Sequence, residues 1–138
     1  MDTLNKLNGY GHWLPRLSLG ATFLFHGFGK FPMAEMMAKG MGMPIMMVYI
    51  LALMEIAGGL LILWGGVGPD WATRVAGLIF AVIMVGAISK FHLANGWSFT
   101  SGWGDGTNHM GGAEFQTLIV AVSLFFAFKG NSVNSVNG

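Results

Sequence analysis

The chain has no cysteine and very little charge. Of its 138 residues only 9% are Asp, Glu, Lys or Arg, and seven basic against six acidic side chains leave a formal net charge of +1. A soluble domain carries about 25% charged residues, so this composition has too little polar surface to cover a water-soluble globule. The near-neutral balance excludes the broad basic footprint that a nucleic-acid partner requires. Without thiols, the chain by itself cannot form disulfides, zinc–thiolate sites, cysteine-held iron–sulfur clusters or a thiol nucleophile. It also lacks HExxH, any phosphate-binding glycine loop, and the polar–apolar alternation of barrel strands. What it has is 54% hydrophobic residues, with 22 Gly, 11 Met and 11 Phe. That mixture suits helices packed in lipid, where small residues let backbones approach.

A bilayer crossing takes roughly 20 mostly apolar residues, with ~17 as a working minimum. Four segments meet or approach that length, at about 13–31 (containing LSLGATFLFHGFG), 45–64 (IMMVYILALMEIAGGLLILW), 71–91 (WATRVAGLIFAVIMVGAISKF) and 113–128 (AEFQTLIVAVSLFFAF). The predicted fold is all-α, a transmembrane four-helix bundle made by one domain spanning 1–138. The first segment reads as a retained span, because no small-x-small cleavage site follows it cleanly. Between the spans, KFPMAEMMAKGMGMP (30–44) reads as an amphipathic, methionine-rich piece at the membrane surface. GGVGPD (65–70) reads as a tight turn with Asp70 as N-cap, residues 94–112 as the long loop, and GNSVNSVNG as a frayed polar tail. Four spans put both termini on one side. Lys6, Arg16, Arg74 and Lys129 on that side, against Lys30, Lys39 and Lys90, make it cytoplasmic by the positive-inside rule.

Ionisable groups within a span cost a few kcal/mol each on insertion scales and usually face the bundle interior. Arg16 lies one turn into the first span, and His26 and Lys30, four residues apart, share one of its faces. Glu55 is mid-span in the second, Lys90 and His92 close the third, and Glu114 opens the fourth. At a rise of about 1.5 Å per residue, His26 and Glu55 come to similar depths. The expected partners of Glu55 are therefore His26 or Arg16. Lys30, His92 and Glu114 fall near the opposite surface, and are expected to cluster there under Trp97, Phe99 and Trp103. Simpler readings compete: Arg16, Lys30 and Lys90 as snorkelling anchors, and Glu114 as a partner of its helix dipole. Glu55 resists such a reading, because a carboxyl in mid-bilayer must stay neutral or find a cation. His26, His92, Glu55 and Glu114 are ligand types for zinc or iron, but their spacing carries no metal signature, and no metal site is predicted.

These residues, in their order, resemble the DoxX family of small four-helix membrane proteins. The resemblance rests on RLSLGATFLFHGFGKF (16–31), MEIAGGLLILWG (54–65), His92 followed by Asn95-Gly96, and GGAEFQTLIVAVSLFFAFKG (111–130). It implies a multi-pass protein of the bacterial inner membrane with cytoplasmic termini, whose polar set is Arg16, His26, Lys30, Glu55, His92 and Glu114. The family is similar to the DoxD subunit of thiosulfate:quinone oxidoreductase, and some members are linked to thiol or oxidative-stress systems. Since this chain has no cysteine, thiol chemistry would need a partner. Two functions follow as expectations. One is a redox-associated subunit with a quinone-type ligand in an apolar cleft between helices. The other is a non-catalytic membrane anchor or assembly module for a partner complex, or for further copies of itself. Whether the chain is an enzyme is left open, and a proton or small-solute pathway is a third option.

Overall fold

A computed structural model of the chain describes residues 7–101 and 110–134. Every regular element among them is helical. After a 3₁₀ turn at Asn8–Tyr10 come α1 (Trp13–Lys30), α2 (Ala34–Met41), α3 (Ile45–Gly65), α4 (Asp70–Ala87) and α5 (Glu114–Lys129). α4 continues through a π-helical turn, Ile88–His92, into a 3₁₀ turn, Leu93–Asn95, and α5 runs on into a 3₁₀ turn at Gly130–Asn134. The four long helices fall within a residue or two of the predicted spans at most ends. The methionine-rich segment is a genuine short helix, α2. Trp103 lies outside the described residues.

Three stretches are long and apolar enough to cross a membrane: Ile45–Gly65, Asp70–Asn95 and Glu114–Asn134. α1 is 18 residues long but is not among them, because Arg16, His26 and Lys30 lower its hydropathy. The chain is thus a multi-pass helical membrane protein. Its outward faces agree, since Phe25, Phe28, Leu53, Leu78, Leu118 and Phe128 are all exposed, as apolar side chains are in contact with lipid rather than water.

The long helices pack in chain order, α1 on α3, α3 on α4 and α4 on α5. Leu19, Phe23, Ile62, Phe80 and Phe126 meet in one core, with the Phe23 and Phe80 rings stacked at 3.9 Å between centroids. The closest approach of α4 and α5 is at Gly77, where a Cβ would stand 2.5 Å from the Ser123 carbonyl oxygen and 2.7 Å from the Ala127 nitrogen. Only glycine permits that contact.

One end of the bundle is closed by Arg16, which is wholly buried. Its Nε donates to His12 Nδ1 (3.1 Å), Nη1 to the Ile62 carbonyl (3.0 Å) and Thr73 Oγ1 (2.9 Å), and Nη2 to Asn131 Oδ1 and Asn134 Oδ1 (3.1 Å each). A guanidinium has five N–H donors, and all five are used. The group also sits 4.8 Å from the centroid of Phe126, a cation–π arrangement. Burial, and then the Arg16 charge, hold the His12 imidazole below its ordinary pKa, in keeping with a neutral ring whose Nδ1 accepts.

Arg16 is therefore not a snorkelling anchor, and the tail is not frayed up to Asn134. Asn131 and Asn134 pass the clasp on to the α3–α4 turn by donating to the Gly68 and Gly66 carbonyls. Asp70 is not an N-cap either. The cap position is Pro69, and the Asp70 carboxylate instead accepts from Arg74 Nε at 2.5 Å and from the Asn131 backbone N–H at 2.6 Å. Arg74 in turn donates to the Ala127 and Phe128 carbonyls, satisfying free acceptors at the end of α5. All these contacts lie where α1 and α4 begin and α3 and α5 end, so the long helices alternate in direction.

Arg16→Lys has three donors for five acceptors. Stability in detergent should fall by about 1–3 kcal/mol for each buried acceptor left unpaired, read as a lower unfolding temperature. An unchanged temperature would show that the clasp is not structural.

Candidate functional site

The opposite end of the bundle holds a cavity. α1 approaches α3 at Gly27, where a Cβ would lie 2.7 Å from Ile56 Cγ1 and 2.9 Å from the Ala52 carbonyl oxygen. That contact brings Lys30, one turn on, against Glu55, with Nζ 2.5 Å from Oε2. Both residues are buried, at 6% and 4% exposure. Lys30 Nζ also donates to the His26 carbonyl at 3.4 Å. The partner of Glu55 is thus Lys30, not His26 or Arg16. Similar Cα depths for His26 and Glu55 do not decide the pairing, because a lysine stem reaches about a helical turn away from its backbone.

The pair faces a cavity of about 660 Å³ bordered by α1 to α5. Its polar lining is Thr22, His26, Lys30, Glu55, Lys90, His92 and Gln116. Much of the rest is methionine: Met37, Met41 and Met43 from α2 and its exit, Met47 and Met54 from α3, Met84 from α4, and Met110. The π turn sets Lys90, Phe91 and His92 on this wall, and such insertions are frequent where a helix is adapted to a site. His92 is buried. Its Nδ1 lies 3.1 Å from the Gly111 carbonyl, an acceptor, so Nδ1 carries the proton and a neutral ring keeps Nε2 as acceptor. Asn95 Nδ2 donates to the same carbonyl at 3.0 Å.

Of the six residues singled out in the sequence, four line this cavity: His26, Lys30, Glu55 and His92. Arg16 is at the other end with its donors all used. Glu114 does not join the expected mouth cluster. It is exposed, its Oε2 accepts from the Phe99 N–H at 3.1 Å, and it borders a separate groove with Trp97 and Phe99. Trp97 and Phe99 therefore do not roof the cavity. The Gly96, Trp97 and Ser98 carbonyls are bound instead by the N–H groups of residues 112–114 at the start of α5. Among the described residues no three His, Asp or Glu come together as metal ligands would.

Sequence reasoning overlooked Gln116 and the methionine wall. The methionines had a ready explanation in lipid packing, and Gln116 stands beside Glu114, which drew the attention. Gln116 is nonetheless the one glutamine in the chain, placed in a span whose other polar residues are Glu114, Thr117 and Ser123.

A multi-pass helical protein with a methionine-walled cavity over a buried Lys–Glu pair is the class these observations define. The DoxX family matches residues 11–93, and the chain belongs to that family. It is 31% identical over 131 residues to the Bacillus subtilis (strain 168) protein named "Putative oxidoreductase CatD", an alignment covering 93% of this chain and 85% of the relative. No solved structure matches the chain significantly.

The ion pair can be tested by a double-mutant cycle. Removing one partner of a buried pair costs about 3–5 kcal/mol, whereas replacing both by apolar residues is often close to neutral. Lys30→Met and Glu55→Met should each lower the unfolding temperature markedly, and the double variant should be more stable than either. Additive losses in the double variant would show that the two charges do not depend on each other.

Proposed function

We propose that the chain is a four-span protein of the bacterial inner membrane with both termini in the cytoplasm, and that its cavity holds a quinone-type ring in the service of a redox system. α1 supplies the fourth span. Its charged residues Arg16 and Lys30 are buried, while Leu14, Leu17, Phe25 and Phe28 face outward, so the helix offers lipid an apolar surface despite its composition.

The observation that carries the ligand reading is the cavity. Its volume of about 660 Å³ is within the roughly 300–1,000 Å³ usual for small-molecule sites, which are largely apolar with a few placed polar groups. Methionine thioethers make favourable contacts with aromatic rings and adapt to their shape. His26, Lys90, His92 and Gln116 supply hydrogen-bonding groups at the edges. A bound quinone would supply two-electron carrier chemistry. The chain's own residues would orient the ring, exclude water and offer protons. The name of the Bacillus subtilis relative supports a redox setting. The second reading, an assembly module, is favoured by one feature: Lys30 and Glu55 satisfy each other without a ligand.

Topology is directly testable because the chain has no cysteine of its own. Single cysteines introduced as Ser101→Cys and Ser132→Cys should react with impermeant maleimide from opposite faces of the membrane. Labelling of both from one face would refute four spans.

For the ligand, decyl-ubiquinone should raise the unfolding temperature of the purified protein in mild detergent. His26→Leu should reduce that rise while leaving the ligand-free temperature close to wild type. If the quinone does not stabilise the wild type, while native mass spectrometry shows a bound partner subunit, the assembly reading replaces this one.

A further inference from the structure

Among the described residues, one buried side-chain oxygen that borders the cavity has no hydrogen-bond partner. Gln116 Oε1 is buried and has no hydrogen-bond partner, yet its side chain borders the cavity. Of the buried charged and imidazole groups on this wall, Lys30 and Glu55 hold each other and His92 Nδ1 is bound to the Gly111 carbonyl. A buried acceptor without a partner costs about 1–3 kcal/mol, and native structures hold only a few. The other such atom among the described residues, Ser123 Oγ, does not border the cavity; its residue lies where α5 meets Gly77 of α4.

We infer that Gln116 reads the oxygen substituent of the ring bound in this cavity. This inference rests on the quinone reading above and deepens it. An amide has an acceptor oxygen and a donor NH₂ on one rotatable group. The oxygen accepts from the hydroxyl of a reduced ring, and the amide turned over donates to the carbonyl of an oxidised one. One side chain thereby serves both redox forms without changing its own protonation. A charged side chain in this position would favour one form and carry a desolvation cost. The flanking residues suit a ring, since Phe115 and Ile119, on the same helix, also border the cavity.

Gln116→Met keeps length and flexibility and removes the amide, and Gln116→Leu is the second variant should the first misfold. Dissociation constants for decyl-ubiquinone and decyl-ubiquinol would be read from tryptophan-fluorescence quenching, and ligand-free unfolding temperatures from the same samples. Expected are roughly tenfold weaker binding of both forms, in line with loss of one buried hydrogen bond, and an unfolding temperature equal to or above wild type, since an unpaired buried acceptor is gone. That combination is the opposite of what a structural glutamine gives. Unaltered affinities in a folded variant overturn the role of Gln116 while leaving the cavity reading intact. A ligand-free unfolding temperature several degrees lower in both variants also overturns it, by showing that the amide is bound within the protein or to water. Failure of the wild type to bind either form removes the cavity reading and this inference together.

Discussion

A guanidinium removed from water is tolerable only if every donor finds an acceptor, and that requirement organises this molecule. Arg16 meets it with five neutral acceptors drawn from the residue before α1, the end of α3, the first turn of α4 and the segment after α5. Among the described residues no carboxylate pairs with it, so its hold is geometric: each acceptor must be in place for the charge to be buried at all. Four helices are thereby fixed at one end, and the short turn between α3 and α4 is fixed with them through Asn131 and Asn134. The cavity lies at the other end.

The opposite end is built on a different principle. Lys30 and Glu55 neutralise each other across α1 and α3, an arrangement that seldom adds net stability over a well-packed apolar pair. Here it places a charged, hydrogen-bonding pair on the wall of the cavity. Around it the walls are methionines rather than branched aliphatics. Unbranched thioether side chains repack at little cost, so this end of the bundle can adapt to an occupant while the Arg16 end holds the helices in register.

The helices themselves were legible in the chain because a membrane span is a long apolar run, and length alone separates it from a loop. The burial of Glu55 was legible for a related reason, since a mid-span carboxylate cannot face lipid. Its partner was not, because the reach of Lys30 depends on how closely α1 approaches α3, and that is set by Gly27 against Ala52 and Ile56, a contact no single-helix argument contains. Arg16 was misjudged in the same way. A basic residue near a helix end looks like an anchor until its partners from the far end of the sequence are in view, 115 and 118 residues away. The membership of the DoxX family was readable because its residues recur in order along the chain. The detachment of Glu114 from the cavity was not, because it depends on the 96–99 loop folding back over the start of α5.

The division into a clasped end and an adaptable end also bears on where chemistry can occur. Arg16 has the charge to attract an anion but no free donor to hold one. The cavity has little net charge beyond Lys90, since Lys30 and Glu55 cancel, but it has an amide and two imidazoles at its edges. Under the proposed function, such a site would discriminate by hydrogen-bond direction and ring shape more than by charge. That is the recognition the proposed ring ligand requires, because a neutral, lipid-soluble carrier changes its donors and acceptors, rather than its net charge, when it is reduced and protonated.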